Sequence, residues 1–150
     1  MSFSSVPFFI TFAENPELAI SAEDSIKGAQ LVLKPLSNNL LALFNIDFVQ
    51  GLFGLATSGN QLVIGAEDIR LGAPLTLQLL QPANNIQQRW DVFSTPGNII
   101  SAADPTLAFG YRQRIEPPSL QLSELDDEYY PQWIFRPFTA VPRGALEPAA

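Results

Sequence analysis

With 150 residues, 47% of them hydrophobic and 15% charged, the chain holds enough apolar material for one packed core and too much for a disordered segment. Eight Lys and Arg against fifteen Asp and Glu give a net charge of −7, which opposes phosphate binding and argues against nucleic acid as a partner. The absence of Cys and His removes disulfides, thiolate metal sites, Cys nucleophiles and the usual general base, which argues against a triad-type hydrolase or a zinc enzyme.

The chain opens with MSFSSVPFFITF. No Lys or Arg precedes its short apolar run, and Thr11 interrupts that run, so it is read as a mature strand and not as a signal peptide. No stretch approaches the run of about eighteen apolar residues that reads as a membrane span. The expected location is the cytoplasm, or outside the cell after export without a recognisable signal.

From Asn15 the chain repeats itself. NPELAISAEDSIKGAQLVLKPL, starting at Asn15, aligns without a gap with GNQLVIGAEDIRLGAPLTLQLL from Gly59 and with DPTLAFGYRQRIEPPSLQLSEL from Asp104. Leu18, Leu62 and Leu107 coincide; so do Ile20, Ile64 and Phe109. Leu31, Leu75 and Leu120 match, then Leu33, Leu77 and Leu122, then Leu36, Leu80 and Leu125. Each unit ends on an aromatic with an apolar residue two places on: Phe44 and Ile46, Trp90 and Val92, Trp133 and Phe135. These aromatics lie 8, 10 and 8 residues past the last shared Leu, so the middle unit carries a two-residue insertion, placed in the Pro82–Asn85 loop.

Within the units the apolar period is two, as in strands with one buried face. Glu-Asn-Pro, Ser-Gly-Asn, Ala-Asp-Pro and Thr-Pro-Gly mark turns between them, and thirteen prolines and nine glycines suit many short connections. A period near 45 residues leaves room for about four short strands per unit. A solenoid of three such units would expose sheet edges, whereas a closed threefold barrel removes them and brings the matched positions onto one axis. The expectation is an all-β single domain over 1–141 with roughly twelve short strands, in units near 8–51, 52–97 and 98–141. The tail over 142–150 lacks apolar periodicity and is expected to be flexible or loosely packed.

Gly72, Leu75 and Leu77, Gln88-x-Trp90 and Gly97-x-Ile99 resemble the repeat of ricin-type β-trefoil lectins. The match is good in the middle unit. The outer units depart from it, with Ala42-x-Phe44 and Pro131-x-Trp133 at the corresponding places. The resemblance implies a β-trefoil in which Trp90 and Trp133 fill the core and Gln88 bonds to backbone inside a turn, neither touching a ligand. It also implies a galactose site made by an Asp, an aromatic after the Gly, and an Asn near Gln-x-Trp. Those Asp positions fall on Ala19, Val63 and Ala108, and the aromatic positions near Lys34, Gln78 and Ser123, so both are lost in every unit. Asn38, Asn39, Asn84 and Asn85 survive, but Asn is also a turn former.

A non-standard site is therefore sought. Unit three breaks the pattern: where the other units carry Glu23-Asp24 and Glu67-Asp68 it has Arg112 and Gln113, flanked by Tyr111 and Arg114, and it sets Asp126, Asp127, Tyr129 and Tyr130 before Trp133. Tyr and Arg together are typical of binding surfaces, although the arginines would also pair with the acidic loop. The other candidates are Glu23 with Asp24, and Glu67 with Asp68: solvated turn carboxylates, acceptors for sugar hydroxyls, or a weak cation site. Neighbouring side chains on one strand point to opposite faces, which weighs against glycosidase chemistry at these pairs.

The expected function is a non-enzymatic binding module without cofactor or metal. Carbohydrate recognition comes first, on the resemblance. The alternative is a protein-binding module, a protease inhibitor or a component of a toxin or other assembly. In its general look, short, acidic and with three degenerate units, the chain is similar to small fungal β-trefoils that bind proteases through one loop, but no loop carries a recognisable protease-binding sequence. The low charge content also suits an apolar contact surface and homo-oligomerisation.

Overall fold

The computed structural model describes residues 2–112, 118–124 and 132–138, with the backbone alone of Arg112. The period-two segments form strands, four to each repeat. They are β1 (Phe8–Phe12), β2 (Asn15–Ala22), β3 (Leu31–Pro35) and β4 (Leu43–Asp47), then β5 (Leu52–Leu55), β6 (Leu62–Gly65), β7 (Thr76–Leu79) and β8 (Trp90–Asp91). The third set is β9 (Ile100–Ser101), β10 (Leu107–Arg112), β11 (Ser119–Glu124) and β12 (Trp133–Pro137). Among the described residues no helix is long and apolar enough to cross a membrane.

The first and last strands of each set close a ring. β1 pairs with both β4 and β12, β4 with β5, and β8 with β9, all antiparallel. Two single bonds complete it: Trp90 N donates to Gly51 O and Trp133 N to Gly97 O, each at 2.8 Å. Gly51 and Gly97 have φ of 74° and 89°, the left-handed region that glycine enters without steric cost. The inner strands form three hairpins, β2–β3, β6–β7 and β10–β11, which cap the ring. The hairpins bond to one another around the axis: Leu31 N to Leu75 O at 3.0 Å, Leu75 N to Leu120 O at 3.1 Å, with β11 returning to β3 through Ser119 and Val32. The architecture is a β-trefoil.

The matched apolar positions fill its core. Leu31, Leu75, Leu120, Ile20, Ile64, Phe109, Phe44, Trp90 and Trp133 are all buried in one cluster. Leu36 and Leu80 match in sequence for a different reason. They are only half-buried, and each closes a hairpin base by a backbone bond, to Glu17 O at 3.0 Å and to Gln61 O at 2.9 Å. Trp90 lies edge-on to Phe109 with ring centroids 4.6 Å apart, and its Nε1 donates to Ile64 O at 3.0 Å.

One residue on the axis has no counterpart in the other units. Gln30 Nε2 lies 3.0 Å from Leu31 O, 2.9 Å from Leu75 O and 3.1 Å from Leu120 O. These three carbonyls are equivalent, so a single amide ties all three hairpins. Pro74 and Ser119 stand where the symmetry would place two more glutamines, and only one such side chain fits on an axis.

Candidate functional site

The positions implied by the resemblance face one another across the hairpins. Ala19 pairs with Lys34, Val63 with Gln78 and Ala108 with Ser123 across their hairpins. Ala19, Val63 and Ala108 are buried and apolar, so they supply no acceptor for a sugar hydroxyl.

In unit two this region borders a cleft of about 480 Å³. One wall is the turn of the first hairpin, at Lys27 and Gly28; the other is β7 with the loop over 81–88. Gly28 N donates to Leu77 O at 2.8 Å, which seats that turn against β7. The loop is built from its own polar groups. Asn84 adopts φ of 55°, a left-handed conformation that Asn tolerates, and Asn85 Nδ2 donates to Gln81 O at 2.9 Å. A 3-10 turn over Ile86–Gln88 then delivers Gln88 to the interior, where it is 1% exposed.

The Gln88 amide is fully engaged. Its Oε1 accepts from Gln81 N at 3.1 Å, and its Nε2 donates to Leu79 O at 2.9 Å and to Gln78 Oε1 at 3.1 Å. That last bond holds the Gln78 oxygen toward Gln88, and its NH2 group has no acceptor among the described residues. Gly65 makes room for this arrangement: a Cβ there would stand 2.5 Å from Gln78 Oε1. Gln81, Asn84 and Gln87 add amides, and Glu67 and Lys27 one charge of each sign. Amides offer a donor and an acceptor side by side, which suits neighbouring hydroxyls. Among the described residues no three His, Cys, Asp or Glu side chains gather as a metal site.

The other sequence candidates are placed as follows. Tyr111 is half-buried and packs edge-on against Phe12, with ring centroids 5.4 Å apart. Arg112 ends β10 opposite Ser119, and its side chain is outside the described residues. Arg114, Asp126, Asp127, Tyr129 and Tyr130 also lie outside the described residues. Glu23 and Asp24 are exposed in the first hairpin, where Asp24 Oδ1 accepts from Ser25 N at 2.7 Å. Glu67 and Asp68 are exposed in the second, where Asp68 lies 3.9 Å from Arg70. Of the four, only Glu67 lines the amide-rich cleft. Sequence reading missed Lys27, Gln81 and Gln87. Lys27 comes from another unit, and nothing along the chain relates it to Gln78.

No protein-family model matches the chain, and no curated protein matches it in sequence. Solved structures do match in fold. The C-half of an earthworm R-type lectin, solved with GalNAc, superposes with a TM-score of 0.68 at 15% identity, over 89% of this chain and 99% of that one. The designed threefold-symmetric protein ThreeFoil gives 0.70 at 13% identity, over 87% and 97%. The β-trefoil lectin of the Vibrio vulnificus hemolysin/cytolysin, solved with N-acetyl-D-lactosamine, gives 0.67 at 10% identity, over 89% and 96%. The class defined by fold and comparison is thus the β-trefoil, shared with R-type and toxin-associated lectins.

Proposed function

We propose that the protein is a non-enzymatic carbohydrate-binding module, and that its principal site is the amide-lined cleft of unit two. The observation that carries this reading is the Gln78 amide, which lines the cleft and whose oxygen is held by Gln88, at the place where the resemblance sets the stacking aromatic. The earthworm and Vibrio structures, solved with sugars, support the ligand class by fold analogy. The site holds neutral sugars by hydrogen bonds and lacks a stacking ring, so affinity is expected to be modest.

Binding on a glycan array, followed by calorimetry, tests it. Gln78→Ala and Gln87→Ala should each weaken binding by roughly fivefold to tenfold, as expected for one or two lost hydrogen bonds. Unchanged affinity in both variants rules out the cleft. The unit-three surface is the other proposed location for the same function. It is tested by combining Tyr129→Ala with Arg112→Ala, which should abolish binding if that surface is used.

A protein partner is the second reading. It is favoured by Val49 and Phe93, which are 93% and 68% exposed in turns after β4 and β8, with Phe93 against Phe48 at 6.3 Å between ring centroids. Inhibition of a member of a protease panel, with no glycan bound, would support that reading against the first.

A further inference from the structure

A second cleft, of about 620 Å³, lies between the turn of the second hairpin and the open end of the third. Arg70 and Leu71 form one wall; Asp104, Pro105, Thr106 and Glu124 form the other. Gly72 N donates to Leu122 O at 2.8 Å, which seats the turn on β11 as Gly28 seats the first hairpin on β7. The two seating turns are thus equivalent under the threefold symmetry, but the walls that face them are not, the loop after β7 in the first cleft and the segment leading into β10 in the second, and their chemistry differs. The first is lined by amides, the second by ionisable groups and apolar surface. The second also avoids the place implied by the lectin resemblance. Leu107 pairs with Glu124 on one face of the hairpin, whereas Ala108 and Ser123 pair on the opposite face.

Its loop is stapled before any ligand arrives. Ser101 Oγ accepts from Ala103 N and Asp104 N, both at 3.1 Å. Asp104 Oδ1 accepts from Thr106 Oγ1 at 2.7 Å and from Thr106 N at 3.0 Å. The Thr106 hydroxyl, and then its N–H, hold the Asp104 carboxyl below the usual carboxylate range, so it is ionised at neutral pH. Those bonds use one oxygen and leave Oδ2 for a ligand. Opposite, Arg70 has a long ion pair with Asp68, at 3.9 Å with both side chains largely exposed. Such a pair is weak, and the guanidinium is free to turn. Leu71 is 55% exposed beside it.

A neutral sugar needs only hydroxyl partners, which the first cleft supplies. Two carboxylates facing one already shared guanidinium favour a ligand with a positive charge, because ion-assisted hydrogen bonds are about twice as strong as neutral ones. We propose that the second cleft binds sugars bearing a free protonated amine, such as a glucosamine unit. Asp104 and Glu124 hold the ammonium, Arg70 and Thr106 the hydroxyls, and Leu71 with Pro105 the apolar face of the ring.

This inference rests on the carbohydrate reading but fails separately from it. Calorimetry at about pH 6 and about 0.15 M salt compares a glucosamine trimer with its N-acetylated counterpart. The free amine should bind at least about tenfold tighter, and Asp104→Asn and Glu124→Gln should each lose about tenfold. Asn accepts the same bonds from Thr106, so the loop survives, and a thermal melt verifies it. Glu17→Gln removes a charge from an exposed position of β2 that does not line the cleft and should change nothing; if it weakens binding as much as Asp104→Asn, the attraction is only that of the net charge and the proposal is overturned. Equal affinity for the two trimers also overturns it, while neutral-glycan binding through Gln78 would stand. A Lys-rich peptide that needs Asp104, where the glucosamine trimer does not bind, overturns it in favour of a protein partner. If no glycan of any kind binds, both readings fall.

Discussion

The two junctions that complete the ring, Gly51 with Trp90 and Gly97 with Trp133, share one backbone bond and differ in almost everything around it. Both N–H···O distances are 2.8 Å, and the two tryptophans are 3% and 4% exposed. Yet Trp90 Nε1 donates to Ile64 O, whereas buried Trp133 Nε1 has no acceptor among the described residues. A Cβ on Gly51 would overlap the Trp90 carbonyl, whereas on Gly97 its nearest neighbour would be the Gln132 side chain, at 3.3 Å. Repeated sequence thus reproduces the backbone more faithfully than the polar satisfaction of what it buries. An orphaned buried donor costs about 1–3 kcal/mol, so the third unit holds its tryptophan less securely.

The largest expected effect tests the backbone half of this contrast. Gly51→Ala combines a left-handed φ with a clash against backbone that cannot swing away. Urea denaturation should show a loss of about 4 kcal/mol or failure to fold. Gly97→Ala should cost only about 1–2 kcal/mol, because Gln132 is flexible and the φ penalty stands alone. Equal losses would show that the junctions are alike. Next comes the indole pair. Trp90→Phe leaves Ile64 O without its donor and should destabilise by at least about 1 kcal/mol more than Trp133→Phe, which removes an orphan. The reverse order in thermal melts would mean that Trp133 has a partner after all.

The smallest effect concerns the turns that lead into the junctions. Asp47 and Asp91 each accept two backbone N–H groups through Oδ1: Val49 and Gln50 in one turn, Phe93 and Ser94 in the other. Burial pulls the Asp47 carboxyl up, but bonds from Ser2, Gln50 and Val49 outweigh it and hold it below its ordinary value. For Asp91 the Ser94 hydroxyl leads and the Phe93 N–H follows, with the same net direction. A depressed folded pKa means that the unfolded state takes up the proton first. This stability is complete above the unfolded value near 3.9 and disappears as pH falls through the folded one. Stability measured below about pH 4 should therefore fall less steeply in Asp47→Asn and Asp91→Asn than in the parent protein. Unchanged slopes would exclude these two groups.

Much of the fold was legible because repetition acts as its own control. Leu31, Leu75 and Leu120 stand at matching offsets and all prove fully buried. Asn38 and Asn84, read as turn formers, have φ of 53° and 55°. The Gly97-x-Ile99 signature has a counterpart 46 residues earlier in Gly51-x-Phe53, where Phe replaces the Ile and masks the match, and both glycines accept from an aromatic residue's N–H. The site was harder to see. Comparing repeats highlights what recurs and discards what is unique, so Gln30, which occurs in one unit and binds all three, left no trace in the alignment. The clefts lie between units, one lined by both Lys27 and Gln78, the other by both Arg70 and Glu124.

By itself, then, the sequence determined the all-β class, the threefold period, the identity of the core and the residues, neither Asp nor aromatic, that stand at the sugar positions implied by the lectin resemblance. Each of these is a property of spacing or of residue type, and hydrophobic burial acts on both locally. Only the tertiary structure decided which amide sits on the axis, which indole N–H finds a carbonyl, and which hairpin turn faces which loop. Hydrogen bonds and ion pairs depend on distances of a few tenths of an ångström between groups far apart in the chain, and those distances exist only once the three units have closed on one another.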